Sequence, residues 1–206
     1  MDTAELASPS FASRRFGLLI LLLVVVAGGL RIGYVLAVTR HDPLVGDQLY
    51  YSFLADTLAR GEGFRDPATA DRAVPSADHP PLASMILAPT SWIVGTGGDA
   101  PHAHRRVTAQ RLTMALVGAL AVGVIAYASR SLVGAPRGPT AGLAAGGVAA
   151  LYPGLWINDG LIMAESIGAL TIALVIWAAV RALDEPAALR MLLLGCAVGV
   201  AALDRA

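Results

Sequence analysis

The sequence predicts an all-α, polytopic transmembrane helical bundle of about five spans, with juxtamembrane helices in its first outer loop. Three observations predict it. Of 206 residues, 56% are hydrophobic and only 15% charged, against about 25% charged in a soluble domain. Mean hydropathy is +0.64. Several apolar runs approach the roughly 20 residues that a helix needs to cross a bilayer. The alternating polar–apolar segments of a membrane β-barrel are absent, which argues against that class. Net charge is zero, so nothing points to nucleic acid as a partner. All fifteen basic residues are Arg. The single cysteine, Cys196, allows neither an internal disulfide nor a cysteine metal cluster.

Residues 1–15 read as a short polar cytoplasmic tail, and 16–206 as one transmembrane module. The first span runs from Phe16 to Val38. Arg14 and Arg15 precede it as in a signal peptide, but the apolar core is long and no clean cleavage site follows, so the span is retained. Arg31 near its outer end can snorkel toward the headgroups. Further spans are expected at Val107 to Ser129, Thr140 to Ile157, Leu161 to Leu183 and Leu189 to Leu203.

The segment from Pro80 to Gly95 decides the topology. It is short for a span and is interrupted by Pro89. Cytoplasmic loops collect Arg. If 80–95 does not cross, the tail with Arg14 and Arg15, the loop with Arg130 and Arg137, and the loop with Arg181 and Arg190 are all cytoplasmic. If it crosses, the last two move outside. The segment is therefore read as a juxtamembrane or re-entrant helix within one outer loop, 39–106. That parity puts Asp47, Asp78, Asp159 and Glu165 on the outer face of the cytoplasmic membrane.

Eight of the fifteen acidic residues lie in that loop, between Asp42 and Asp99. Residues 47–60 form a surface helix with Tyr50, Phe53, Leu54 and Leu58 on one apolar face and Gly61 ending it. Asp47 is either an N-cap or a carboxylate poised over the membrane face, and the helix N-terminus favours an anion in both cases. Asp78 could cap the next helix, with Pro80 and Pro81 in its first turn. His79 can donate to phosphate or carry a proton near neutral pH. Arg60, Arg65, Arg72, Arg105, Arg106 and Arg111 are donors suited to phosphate. A divalent metal is conceivable at His79, His102, His104, Asp47 and Asp78, but the spacing gives it little support. Trp92, Tyr152 and Trp156 are interface anchors.

These features resemble, in order, the N-terminal part of the C-type integral-membrane glycosyltransferases, in the branch of protein O-mannosyltransferases and the lipid A aminoarabinose transferase. The resemblance rests on Gly46-Asp47-Gln48-Leu49-Tyr50-Tyr51, then His79-Pro80-Pro81-Leu82, then the Arg111-Leu112 entry into a small-residue-rich span, then Leu151-Tyr152-Pro153-Gly154 followed by Glu165. It implies Asp47 as general base and Glu165 as the second catalytic carboxylate, with Asp159 as the alternative alignment for that position. It implies Asp78 and His79 in the donor-phosphate region, with Tyr50 and Arg111 of the same motifs on the substrate side. Relatives often carry Glu or Lys where this chain has Asp78 and His79. The implied donor is a polyprenyl-phosphate sugar and the implied acceptor a hydroxyl of a protein, glycan or lipid, with inversion at the anomeric carbon. Such enzymes continue past a fifth span with an Arg-containing loop and more helices, so the chain corresponds to an N-terminal portion and is expected to be a truncated or inactive fragment if it stands alone. The competing expectation is a non-catalytic membrane scaffold or transporter subunit whose outer loop binds a partner. An intramembrane metalloprotease would need a His-Glu-x-x-His run, which is absent.

Overall fold

A computed structural model describes residues 9–66 and 74–205, with side chains from residue 14 onward. Arg72 and most of the predicted tail lie outside the described residues. The chain is all-helical: α1 (Pro9–Ala37), a 3-10 turn (Thr39–His41), α2 (Asp47–Ala59), α3 (Leu82–Val94), α4 (Ala100–Val133), α5 (Gly138–Leu151), α6 (Pro153–Asp159), α7 (Glu165–Asp184) and α8 (Ala188–Ala202). An isolated bridge between Arg65 and Pro75 is the β-type pairing among the described residues.

Among the described residues, three helices, α1, α4 and α7, are long and apolar enough to cross a membrane, and a fourth crossing results if α5 and α6 act as one span bent by 56°. Their outward faces are apolar: Leu18, Leu21, Leu22, Val25, Leu116, Leu120 and Ile172 are all more than half exposed, as contact with lipid requires. The run expected as a fifth span forms α8, which at 15 residues is shorter than the roughly 20 of a full crossing. The segment at 80–95 is α3, 13 residues with Pro89 inside, again too short to cross.

The central element is α4, against which α1, α3, α5 and α7 pack. Small residues let them approach. Gly142 sits against the Ala126 carbonyl and Gly146 against Leu23 and Ala126, so a Cβ at either would collide, the close backbone packing expected between membrane helices. α4 starts earlier than the apolar run suggests. Asp99 accepts a hydrogen bond from the His102 backbone N–H at 3.1 Å, and Pro101 occupies the first turn. That cap moves His102, His104, Arg105 and Arg106 from the predicted loop onto the helix.

α5 breaks from α6 because Pro153 has no N–H to return to the Ala149 carbonyl. Arg31 covers the break. It donates to the carbonyls of Ala149 and Ala150 at 3.3 Å each and of Ala27 at 3.2 Å, and it pairs with Asp159. Arg31 is 1% exposed and Asp159 2%, so this Arg does not snorkel. A Cβ at Gly118 would run into the Asp159 carboxylate. Gly118→Ala is expected to lower thermal stability, by about 1–3 kcal/mol as for other overpacked cores. A wild-type unfolding midpoint in that variant would show the contact to be slack.

A polar seam locks α2 and α3 onto α4. The Ser52 hydroxyl donates to Gln110 Oε1 at 2.6 Å, and Gln110 Nε2 donates to Ser91 Oγ at 2.9 Å. Ser84 Oγ donates to the Tyr51 carbonyl at 3.2 Å. Arg106 and Asp56, both buried, form an ion pair at 3.0 Å. Buried polar networks of this kind fix one register when every member is paired.

Candidate functional site

The N-termini of α2, α3 and α7 and the C-terminal end of α8 meet at one end of the bundle. Gly46 adopts φ 55°, a conformation that glycine takes without strain, and turns the chain into α2. Gly46 itself stands at the N-cap, so the Asp47 carboxylate does no capping. It is free to reach across to the bend before α3, where Asp47 Oδ1 lies 3.2 Å from His79 Nε2. The Asp47 side chain is 55% exposed and that of His79 28%.

Aromatic rings hold the imidazole. His79 stacks on Tyr50 with ring centres 4.2 Å apart and meets Tyr51 edge-on at 5.5 Å. Tyr50 in turn shares a hydrogen bond with Ser76 Oγ at 2.8 Å. Asp78 is exposed and does not cap α3, which begins at Leu82 with Pro81 at its N-cap. The two prolines place the Asp78-His79 pair in a bend before the helix, because neither can donate a backbone hydrogen bond.

An open cavity of about 310 Å³ is lined by Tyr51, Pro80, Ala164, Glu165, Asp204 and Arg205. The backbone N–H of Leu82 donates to the Leu203 carbonyl at 3.2 Å, which fixes the end of α8 against α3. Asp204 is 1% exposed, and neither of its oxygens has a hydrogen-bond partner. Burial pushes its carboxyl up to about 6; Arg205 opposes that shift and Glu165 adds to it. Tyr51 is pushed up to about 12, first by burial and then by the fields of Asp47, Glu165 and Asp204. Tyr51 thus stands within electrostatic reach of all three carboxylates. A second cavity, about 380 Å³, shares Pro80 with the first and is lined by Phe64, Ser76, Ala77, Asp78, His79, Pro80 and Pro81.

Five of the seven sequence-predicted site residues, Asp47, Tyr50, Asp78, His79 and Glu165, therefore belong to this end, around Tyr51 and the two cavities. Two do not. Asp159 is engaged by Arg31, which leaves Glu165 rather than Asp159 at the cavity. Arg111 is 0% exposed and donates to the Thr39 and Asp42 carbonyls, where it ties the end of α1 to α4. Other phosphate-capable arginines are also engaged: Arg60 by Glu62, Arg65 by the Glu62 carbonyl and Arg106 by Asp56. The arginine at the cavity is Arg205.

Among the described residues no three His, Cys, Asp or Glu side chains converge to hold a metal ion, and the set suggested by the sequence does not fit one. His102 faces the Gly95 carbonyl at 3.2 Å, and His104 stacks on His41 at 5.0 Å. Tyr51 is the last residue of the Gly46–Tyr51 motif, but the sequence gives it no role of its own. Asp204 and Arg205 are marked in the sequence by nothing more than an Asp-Arg pair after an apolar run, which any span end can show. No family model, curated protein or solved structure matches the chain.

Proposed function

We propose that the chain carries the active end of a membrane glycosyltransferase, which moves a sugar from a polyprenyl-phosphate donor to an acceptor hydroxyl at the outer face of the cytoplasmic membrane. The observation that carries this reading is the gathering of the Asp47–His79 pair and Glu165 around Tyr51, beside an open cavity at the ends of apolar helices. Perturbed and clustered ionisable groups in a cleft are a mark of chemical work. A lipid-linked donor fits that place, since its chain stays in the bilayer while its phosphate meets water.

Five crossings are part of the proposal. Support comes from α8, which runs antiparallel along α7: Arg190 contacts the Arg181 carbonyl at one end, and Asp204 lies against Gly168 at the other. A tilted or locally thinned bilayer accommodates such a short helix.

In the proposed reaction Asp47 Oδ takes the proton of the acceptor hydroxyl. The acceptor oxygen bonds to the anomeric carbon as the carbon–phosphate-oxygen bond breaks, and that electron pair leaves on polyprenyl phosphate. His79 orients Asp47 through its Nε2 contact. Arg205 and the positive ends of α3 and α7 stabilise the departing phosphate. Glu165 binds sugar hydroxyls at the cavity.

Liposomes holding the purified chain and a polyprenyl-phosphate sugar should release polyprenyl phosphate when an acceptor is supplied, and should bind the donor saturably. Absence of both release and donor binding would sink the proposal. The competing reading, a scaffold whose loop holds a partner, predicts cross-links from 39–106 to another protein that persist in Asp47→Asn.

A further inference from the structure

We propose that the start of α1, the end of α4 and the start of α5 form a binding surface for the phosphate headgroup of an anionic phospholipid. The chain is neutral overall, but its charges are sorted by place. The helices α1, α4 and α5 contain no Asp or Glu, while eight of the fifteen acidic residues fall between Asp42 and Asp99. Where the three helices meet, four arginines collect: Arg14, Arg15 and Arg137, all exposed, and Arg130, half-buried. Arg130 lies about 24 Å further along α4 than Met114, which shares a core cluster with Tyr51, so this surface is remote from the candidate site. The acidic residues that close α7 are Asp184 and Glu185, and Glu185 is engaged by Arg190.

Arg130 is held in place before any ligand arrives. Its guanidinium lies 4.4 Å from the centre of the Phe16 ring. Phe16 is 3% exposed and is braced edge-on by Tyr127 at 5.4 Å. Gly142 closes the packing, since a Cβ there would come within 3.1 Å of both Arg130 Cβ and Phe16 Cζ. Stacking on the aromatic face occupies the plane of the guanidinium. It leaves the N–H edge, whose fork matches two phosphate oxygens. Gly138 abuts the Arg130 carbonyl, which brings the preceding Arg137 to the same corner. Arg137 stands at the N-cap of α5, where the helix dipole also favours an anion. Lipid rather than free phosphate fits the border of this surface. Leu18 on α1 and Leu132 and Val133 on α4 are exposed beside the arginines, on helices apolar enough to cross a membrane. Acyl chains cover those side chains while the headgroup meets the cations, the arrangement by which basic clusters beside spans attract anionic lipid.

The test is native mass spectrometry of the purified chain in detergent, titrated with phosphatidylglycerol or phosphatidylcholine, which counts bound lipids one at a time. The first phosphatidylglycerol should bind about tenfold or more tightly than phosphatidylcholine, as expected when several arginines meet one anionic headgroup. Arg130→Gln and Arg137→Gln should each cut that preference about fivefold. Arg130→Lys keeps the charge but not the planar fork and should recover part of the loss. Arg137 is exposed, so its variant tests the surface without disturbing the packing. Arg105→Gln removes an exposed arginine near the opposite end of α4 and should change nothing. Equal affinity for the two lipids overturns the proposal. So does an equal loss in Arg105→Gln, which would mean diffuse charge rather than a site. Displacement of phosphatidylglycerol by millimolar glycerol phosphate would assign the surface to a soluble anion and would overturn it as well. The surface does not depend on the glycosyl-transfer reading, and Asp47→Asn should leave lipid binding unchanged.

Discussion

Asp159→Ala is expected to lose about 3–5 kcal/mol of stability, the cost of stranding one member of a buried ion pair. The partner left behind, Arg31, is 1% exposed, so its guanidinium would be buried without a counter-charge. Arg31→Met should cost a similar amount for a second reason. The guanidinium also accounts for the carbonyls of Ala27, Ala149 and Ala150. Pro153 leaves the Ala149 carbonyl without its helical donor, and in lipid an orphaned carbonyl has no water to turn to. The double variant Arg31→Met with Asp159→Leu should recover part of the loss, because the two charges vanish together, but not all of it, because the carbonyls remain. Denaturation in mixed micelles measures this directly. Full recovery in the double variant would show that Arg31 serves Asp159 alone; no loss in Asp159→Ala would show the pair to be solvated.

The reach of the sequence differs by region for physical reasons. Long apolar runs announced α1, α4 and α7, because lipid imposes composition over a whole turn-by-turn length. Gly61 announced the end of α2, and the short, Pro-bearing run announced α3 as a short apolar helix. The bend at Pro153 is hidden in the sequence within Leu151-Tyr152-Pro153-Gly154, and nothing local ties Arg31 to it. Its partners are a carbonyl pair and a carboxylate more than a hundred residues away, which only the fold brings near. Asp99 with Pro101 was a legible helix start that the polar character of the following residues concealed. Arg111 illustrates the same limit in the site. An arginine at a span entrance has the right chemistry for phosphate, yet this one spends its donors on two backbone carbonyls. Asp204 and Arg205 could not be weighed because their meaning depends on α8 folding back along α7.

Asp47→Asn should lower the turnover number of sugar transfer by about 10²–10⁴, the range for a positioned general base, while leaving the Michaelis constant for donor nearly unchanged. The substitution keeps the shape of the side chain and a hydrogen-bonding atom near His79, and Asp47 is exposed and caps nothing, so folding should be untouched. A loss confined to turnover would mean that the carboxylate acts in the transition state rather than in binding. His79 makes a separable prediction. Its imidazole faces Asp47 at 3.2 Å and is held by Tyr50 and Tyr51, so it positions the base without touching the reacting atoms. His79→Gln retains an N–H donor and should cost about tenfold, while His79→Ala should cost more, since an orienting partner of this kind contributes about 10- to 100-fold in comparable sites. The split between turnover and binding distinguishes positioning from packing: the His79→Gln loss should fall on turnover, with the Michaelis constant for donor and the unfolding midpoint unchanged. Wild-type turnover in Asp47→Asn would show that Asp47 is not the base and would overturn the proposed mechanism.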